Sequence, residues 1–486
     1  MTATLDLRPI ILVTGVLLAA LGVAMLAPAL IDVALGSADW KVFAGSAGTT
    51  LFAGAILFVA TRGRRGGLST RQAMLMTVAV WTALAAFGAF PYLWSGMVTS
   101  YADAFFESMS GLTTTGATVI SGLDDAPPGI LMWRAIQQWL GGLGIIVMAV
   151  SVLPMLQIGG MQIFRAEAFD TPEKILPRAR QMSGAMTKVF VALTLLCAAL
   201  YWLAGMSVFD ALAHAMTTVA TGGYSTKDAS IAYFDSAFID TIAIVFMIVG
   251  SIPFLLFVAV LNGRPPSMIW HDSQVRVFLA VLVVGTTIAW SIAVVGQHAA
   301  PVAALRYAAF NTVSIVTGTG YANADYGAWG GHATAFFFTI MFIGGCAGST
   351  SCGIKIFRFQ VLGQELRQHI TATVYPHAQF VKRFNGRPID ARVSASVMSF
   401  LFLYIASFFA IAMALTMTGL DFITAMSGAG TAISNVGPGL GEIIGPSGNF
   451  APLNETAKWI LSFAMLLGRL ELFTVLVLFL PRFWRG

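Results

Sequence analysis

Four short segments rich in Gly, Thr and Ser interrupt an otherwise apolar sequence: SGLTTTGATV, TTVATGGYST, VSIVTGTGYA and SNVGPGLG. They align on the glycines Gly116, Gly223, Gly320 and Gly437, which are 107, 97 and 117 residues apart. Each glycine follows a hydroxyl residue by six positions and an aliphatic residue by four. The hydroxyl residues are Ser110, Thr217, Ser314 and Thr431, and the aliphatic residues are Leu112, Val219, Val316 and Ile433. This shared register indicates an internal repeat.

The backbone of such segments can coordinate a dehydrated alkali cation. Rings of carbonyl oxygens replace the hydration shell of an ion, and glycine accepts the positive φ angles that turn successive carbonyls the same way. A short helix before each segment would also point its partly negative C-terminal end at the cation. The predicted ligands are the carbonyls of each glycine and of the two residues before it: Thr114, Thr115, Gly116, Thr221, Gly222, Gly223, Gly318, Thr319, Gly320, Asn435, Val436 and Gly437. The hydroxyls of Thr113 and Ser434 are further candidates.

The chain as a whole has the composition of a polytopic membrane protein. Its 486 residues have a mean hydropathy of +0.81 and are 57% hydrophobic but only 10% charged, whereas soluble domains carry about 25% charged residues. The first apolar run, from Pro9 to about Val33, is longer than the roughly 7–15 apolar residues of a signal peptide. We therefore interpret this run as a transmembrane helix, with a retained signal sequence as the alternative.

Spanning helices must hold the four segments in place. The sequence predicts a hairpin of helices at about 9–33 and 39–61. After it a three-part unit recurs, which consists of a spanning helix, a short segment and a second spanning helix. The unit starts near 73, 187, 275 and 392, and its short segments lie near 101–119, 208–226, 304–322 and 419–440. A helix over 101–112 is about 18 Å long, less than the roughly 30 Å hydrocarbon core. Each short segment must therefore enter the membrane and return on the same side, shielded from lipid. The alternative, that the segments are small-residue motifs for helix packing, is disfavoured because such motifs would lie in helices long enough to span.

The expected fold is an all-α polytopic membrane protein with four parallel helix–pore-loop–helix repeats around a pseudo-fourfold pore, plus an N-terminal two-helix hairpin. Two spanning helices per unit give every copy the same orientation, which suits an axis along the membrane normal. The predicted boundaries are 1–70 for the hairpin and 71–160, 161–265, 266–390 and 391–486 for repeats 1 to 4.

The net charge of +5 is concentrated in a few loops: around Arg62, Arg64, Arg65 and Arg71, in 162–181, and in 355–392. The positive-inside rule places these loops and both termini in the cytoplasm. Topology thus explains the basic charge without nucleic acid, and membrane lipid is the expected surrounding. The three cysteines and six scattered histidines show neither a disulfide framework nor the spacing of a metal site.

A glycine-rich stretch, FIGGCAGSTSCGIK, interrupts the second helix of repeat 3. Its glycines are Gly344, Gly345, Gly348 and Gly353. Because a glycine costs about 1 kcal/mol against alanine in a helix, the stretch is expected to unwind and to obstruct the pore below the filter. A glycine-lined helix contact is the alternative. A metal site at Cys346 and Cys352 is disfavoured because no His or carboxylate joins them.

Several charged residues stand in apolar surroundings. Arg469 is expected to lie mid-span in the last helix, and an arginine at the bilayer centre costs roughly 2.5–3.5 kcal/mol. We expect it to face the pore, or alternatively to pair with Glu471 or another buried acid. Arg134 is interpreted as an interfacial anchor. Glu107 is expected to support the filter from behind. Asp103 and Asp210 are predicted to cap the N-termini of their short helices.

At the level of motifs, the four aligned segments resemble the filter segments of the Trk/Ktr/HKT potassium transporters, and among these the TrkH family. WRAIQQWLGGLGIIV, GGCAGSTSCGIKIFR and LLGRLELFTVLVLFLPRFWR extend the resemblance along nearly the whole chain. The resemblance implies K+ uptake across a bacterial inner membrane by a homodimer without a covalent cofactor. It also implies an intramembrane gating loop, a barrier at Arg469, and a cytoplasmic TrkA-type subunit that binds nucleotides such as NAD(H) or ATP.

The chain departs from the family pattern at two places. Val436-Gly437-Pro438 replaces a Thr-Gly pattern, so we expect weaker discrimination between K+ and Na+; Ser351-Cys352 stands where glycines are more frequent, so we expect a less mobile loop. A secondary transporter coupled to H+ or Na+ is the alternative function, although few intramembrane carboxylates are available. A membrane-embedded enzyme is disfavoured because no cluster of catalytic residue types occurs.

Overall fold

The computed structural model describes residues 5–63, 68–151, 175–377 and 381–485. Within these ranges seven helices are long and apolar enough to cross a membrane, or up to nine if each of two bent helix pairs counts as one span. Most of the basic loop 162–181, together with Arg64 and Arg65, lies outside the described residues.

The helices follow the predicted order. The hairpin comprises Arg8–Ala24, Leu26–Leu35 and Trp40–Ala60. Repeat 1 contains Thr70–Gly88, Phe90–Trp94, Tyr101–Leu112 and Pro128–Ser151; repeat 2 contains Ile175–Leu203, Val208–Val219, Ala237–Gly250 and Phe254–Leu261. Repeat 3 contains Ser267–His271, Ser273–Val295, Pro301–Thr317, Gly331–Ile340 and Ile356–Val374; repeat 4 contains Ala391–Met417, Phe422–Ser434, Gly441–Ile444, Glu455–Arg469, Phe473–Leu476 and Pro481–Arg485.

Short elements connect these helices. Single 3-10 turns occur at Leu123–Asp125, Ser230–Phe234, Tyr326–Trp329 and Val477–Phe479. Between repeats 3 and 4, the strands Arg383–Phe384 and Arg387–Pro388 pair antiparallel, with Arg383 opposite Pro388 and Phe384 opposite Arg387.

A serine begins each of the first two short helices. The side chains of Ser100 and Ser207 accept hydrogen bonds from the backbone N–H groups of Asp103 and Asp210. The prediction that these aspartates are the N-caps is therefore wrong. They lie in the first helical turn instead, where a negative charge interacts favourably with the helix dipole, and Asp103 forms an ion pair with Lys458 at 2.5 Å.

The second helix is broken in three of the four repeats. It bends by 88° between Gly250 and Phe254 in repeat 2, unwinds over 341–355 in repeat 3, and bends by 113° after Arg469 in repeat 4. Only the repeat 3 break was predicted. Pro253, which lacks the backbone donor that a helix interior needs, is the sequence signal for the break in repeat 2.

The hairpin packs against itself and against repeat 1. Gly15 and Gly54 allow its two long helices to approach closely, since a Cβ at Gly54 would lie 2.7 Å from the backbone nitrogen of Ala19. Asp32, fully buried, accepts a 2.7 Å hydrogen bond from the Gly129 N–H at the start of the Pro128–Ser151 helix. The hairpin thus satisfies an otherwise unpaired donor at the N-terminus of a repeat 1 helix.

We predict that Gly54→Ala destabilises the hairpin by about 1–3 kcal/mol, because the added methyl group forces two backbones apart. Thermal unfolding of the purified protein in detergent measures the effect. Gly48→Ala is the matched control in the same helix: nothing lies within 4 Å of its Cβ position, and alanine favours the helix by about 1 kcal/mol. Equal unfolding midpoints for the two variants would contradict the proposed close contact.

Candidate functional site

The four aligned loops share one unusual backbone conformation. The aligned glycines have positive φ: Gly116 86°, Gly223 78°, Gly320 81° and Gly437 111°. So do the residues two positions earlier: Thr114 51°, Thr221 49°, Gly318 75° and Asn435 53°. The residue between these two positions does not have a positive φ in any of the four loops. Alternation of positive and negative φ turns successive carbonyl groups toward the same side of a strand, as a carbonyl-lined pathway requires.

The loops meet in a closed ring. A Cβ added to Gly116 would overlap the carbonyl oxygen of Gly222, and one on Gly223 would overlap that of Thr319. The same holds for Gly320 against the Val436 oxygen, and a Cβ on Gly437 would lie 2.8 Å from the Thr115 oxygen. Each glycine therefore abuts the carbonyl that precedes the corresponding glycine of the next repeat, in the order 1, 2, 3, 4 and back to 1.

A pocket of about 80 Å³ opens onto this ring and has all four aligned glycines in its lining. Arg134, Lys227 and Asp228 also line the pocket. The predicted ligand residues are therefore brought together at the base of an opening rather than dispersed over lipid-facing surfaces.

Hydroxyl groups hold the loops from behind. Thr113 and Thr115 share a 2.7 Å hydrogen bond between their hydroxyls, and Thr317 and Thr319 repeat this pair at the same distance. The Ser434 hydroxyl bonds Tyr404 at 2.7 Å. The hydroxyls of Thr113 and Ser434 thus take part in internal support.

Two of the hydroxyl residues six positions before the aligned glycines bond to the loops that follow them. Ser314 Oγ donates to the Tyr321 carbonyl at 2.7 Å, and Thr431 Oγ1 accepts from the Gly437 N–H at 2.9 Å. These bonds tie the end of a short helix to the loop that returns from it. In repeats 3 and 4 the backbone that leaves the short helix is thereby fixed to the helix itself.

Glu107 and Arg134 form a buried ion pair behind the ring, with Arg134 Nε 2.8 Å from Glu107 Oε1. Glu107 also accepts from the Val119 N–H at 2.9 Å, and Arg134 donates to the Ser225 carbonyl at 2.7 Å. The pair joins the stretches that follow Gly116 and Gly223. Glu107 therefore supports the loop as expected, whereas the interpretation of Arg134 as an interfacial anchor is wrong, because its side chain is only 2% exposed.

The glycine-rich stretch of repeat 3 is a loop over 341–355, and Gly344, Gly348 and Gly353 have positive φ. Gly345 packs against Ser351. Ser351 Oγ donates to the Thr317 carbonyl at 2.6 Å, and the hydroxyls of Thr350 and Thr221 lie 3.1 Å apart. The loop thus contacts the C-terminal ends of the short helices of repeats 2 and 3. We call the side of the ring that these helix ends face its inner side.

Arg469 connects this loop to the wall of repeat 1. Its guanidinium donates to the Thr350 carbonyl at 3.2 Å, to the Gly141 carbonyl at 3.1 Å, and to Cys352 Sγ. It is the last residue of its helix rather than a mid-helix residue. Among the described residues no carboxylate forms an ion pair with it, so the alternative of a pair with Glu471 is wrong.

Glu471 instead pairs with two cations at the end of the loop, Lys355 at 3.6 Å and Arg358. Arg358 also lies over the ring of Phe400 at 3.6 Å. This buried cluster joins the exit of the loop to the break in the last helix of repeat 4. Sequence analysis did not identify it, although three charges in apolar surroundings were the available signal.

Comparison with known proteins agrees with the family resemblance of the motifs and extends it along the chain. The model of the TrkH family, described as cation transport proteins, matches residues 40–485. A Trk system potassium uptake protein TrkI from Halomonas elongata is 41% identical over 98% of this chain and 97% of its own. The crystal structure of the potassium transporter TrkH from Vibrio parahaemolyticus has a TM-score of 0.91 and 38% identity, and covers 99% of this chain and 100% of its own. The chain belongs to the TrkH family.

Membership of a transport family rules out the membrane-embedded enzyme considered from the sequence. Within the part of the chain that the structure describes, no group of three His, Cys, Asp or Glu residues is placed to hold a metal ion. The backbone ring, with the loop and Arg469 on its inner side, is therefore the candidate site of this TrkH-family chain.

We predict that Gly223→Ala lowers cation flux by roughly tenfold or more, because the methyl group overlaps the Thr319 carbonyl and distorts the ring. Rubidium tracer uptake into proteoliposomes measures the flux. Gly122→Ala is the matched control: Gly122 has nearly the same φ, 75°, but no atom lies within 4 Å of its Cβ position. Similar losses in both variants would attribute the effect to backbone strain and contradict the ring contact.

Proposed function

We propose that this protein takes up K+ across the bacterial inner membrane through a channel-like pore. The closed ring of four loops carries the proposal, since converging carbonyls are a chemical means of stripping water from an alkali cation. The relatives are named potassium uptake proteins. In this proposal the four repeats, with the boundaries predicted from the sequence, surround the pore, and both termini face the cytoplasm.

The proposed K+ ligands are the carbonyl groups of 114–116, 221–223, 318–320 and 435–437. Their shared backbone conformation supports this assignment. The side chains differ between repeats, so the coordination shell is less uniform than one built from four identical loops.

The proposed gate is the loop over 341–355 together with Arg469. The loop lies against the inner end of the ring, and the Arg469 guanidinium places a positive charge beside it. Arg469 has no carboxylate partner among the residues that the structure describes, and its buried charge repels a cation that passes within a few ångströms. The buried cluster of Lys355, Arg358 and Glu471 fixes the end of the loop to repeat 4.

We further propose that two copies of the chain associate and that a TrkA-type nucleotide-binding subunit docks on the cytoplasmic side. Leu366, Ile370 and Val374 are 62%, 58% and 63% exposed along one face of the Ile356–Val374 helix. Such an i, i+4, i+8 apolar stripe favours coverage by another protein surface. Next to it, a hydrogen bond from Lys382 lowers the pKa of Glu365 and keeps this pair charged.

The coupled-transporter alternative finds little support around the ring. Glu107 and Glu471 are the buried carboxylates nearest the proposed pathway in the described residues, and both are held in ion pairs with arginine. A carboxylate that is paired in this way is poorly suited to carry a proton through each transport cycle.

We predict that the reconstituted protein conducts K+ in preference to Na+, but with incomplete selectivity, because Val436 and Gly222 make the ring non-uniform. Reversal potentials in mixed K+ and Na+ solutions measure the permeability ratio. A pH gradient imposed at equal K+ concentrations should leave flux unchanged. Perfect K+ selectivity would contradict the expectation from the non-uniform ring, and K+ accumulation driven by the pH gradient would favour the coupled transporter.

We also predict that Arg469→Ala raises basal K+ flux severalfold, because it removes both the positive charge and the tie between Thr350 and Gly141. Single-channel recording or tracer flux measures the change. Arg469→Lys keeps the charge but cannot maintain all three contacts, so it separates the two contributions: flux near that of the unmodified protein indicates that the charge forms the barrier. Unchanged flux in Arg469→Ala would remove Arg469 from the gate.

A further inference from the structure

Gln138 reaches from repeat 1 into the filter loop of repeat 2. It lies in the Pro128–Ser151 helix and is fully buried. Its Nε2 donates to the Gly222 carbonyl at 2.5 Å, and its Oε1 accepts from the Tyr224 N–H at 2.9 Å. The two bonds hold the loop on both sides of Gly223, so one carboxamide fixes the backbone of this glycine.

The contact compensates for side chains that repeat 2 lacks. In repeats 1 and 3 the residues three positions and one position before the aligned glycine are both threonines, and their hydroxyls bond each other. Repeat 2 has Ala220 and Gly222 at these positions. A Cβ at Gly222 would overlap the carboxamide of Gln138. The side chain of Gln138 thus occupies the space, and supplies the polar contact, that the threonine pairs provide elsewhere.

This contact makes the Gly222 carbonyl different from its counterparts. Of the four carbonyls that abut a glycine of the ring, it is the one that accepts a hydrogen bond from a described residue; Thr115, Thr319 and Val436 have no such donor there. An N–H donor competes with a cation for the oxygen lone pairs and restrains the carbonyl from moving toward the axis. Coordination strength and oxygen position both affect the discrimination between alkali cations.

We propose that Gln138 is a positioning residue that sets the discrimination between K+ and Na+ by restraining and partly neutralising the Gly222 carbonyl. Coulomb attraction rises as the ion–oxygen distance falls. A freed, more negative oxygen that can approach the axis therefore favours the smaller Na+ ion. This inference rests on the proposed function, because it assumes that the ring is the cation filter.

The test compares Gln138→Met with Gln137→Met. Methionine matches the length of glutamine but removes the donor and the acceptor. Gln137 is equally buried, but its carboxamide bonds Tyr92 and Ser108, and not a filter loop. We expect Gln138→Met to lower the K+/Na+ permeability ratio by roughly fivefold, about the weight of one hydrogen bond, while Gln137→Met leaves the ratio unchanged even if it lowers the unfolding temperature.

An unchanged ratio in Gln138→Met, or equal shifts in both variants, would overturn the inference. If Gln138→Met does not fold, Gln138→Ala combined with Gly222→Ala returns part of the lost volume without the hydrogen bonds. Gly222→Ala alone should lose flux through overlap, and the double variant should regain flux at a lowered permeability ratio; a normal ratio would overturn the inference. Failure of the unmodified protein to select K+ would instead count against the proposed function.

Discussion

The central constraint of this molecule is the contact between each aligned glycine and the carbonyl oxygen of the neighbouring loop. The contact leaves no room for a Cβ atom, and the backbone also has positive φ at each position, so both features require glycine at all four positions. The contact also demands that four loops separated by about a hundred residues be held in direct contact. The helices exist in this arrangement because loops of small residues bury too little apolar surface to hold themselves together, and irregular backbone at membrane depth is stable only against protein or water.

The four loops receive this support in three different ways. Repeats 1 and 3 use paired threonine hydroxyls within the loop, whereas repeat 2 depends on Gln138 from the preceding repeat. Repeat 4 has Val436, and its loop is held through Asn435, whose amide donates to Thr115 and to the Met465 carbonyl, both at 2.9 Å. The backbone geometry is therefore fourfold while its support is not. Since the ion would contact the backbone, the side chains behind the ring can differ between repeats as long as the carbonyl groups stay in place.

This difference between a repeated backbone and non-repeated side-chain support explains which features the sequence could predict. The glycines at the ring were identifiable because they recur in register, so the chain supplies its own alignment. Gln138 belongs to one repeat and Asp32 to the hairpin outside the repeats, and each acts on a backbone group far away in the sequence. Arg134 was misinterpreted for a related reason: nothing in its neighbourhood along the chain reveals that Glu107 lies beside it. A feature that recurs in every repeat can be recognised in the sequence. A buried polar contact that one distant helix makes once leaves no such pattern.

The helix breaks below the ring are best understood as one unit. A helix break frees backbone donors and acceptors that cannot remain unpaired in a membrane. Here the groups that are freed at one break form hydrogen bonds with groups at another. The loop of repeat 3 pairs its Cys346 N–H with the Ser251 carbonyl at the break in repeat 2, and its Gly348 carbonyl with the Phe254 N–H. At the break in repeat 4, Arg469 takes up the Thr350 carbonyl. Displacing the loop therefore exposes polar groups on three repeats at once, which requires that water enter as the loop leaves. For the proposed gate, opening the pathway and hydrating it are then a single event.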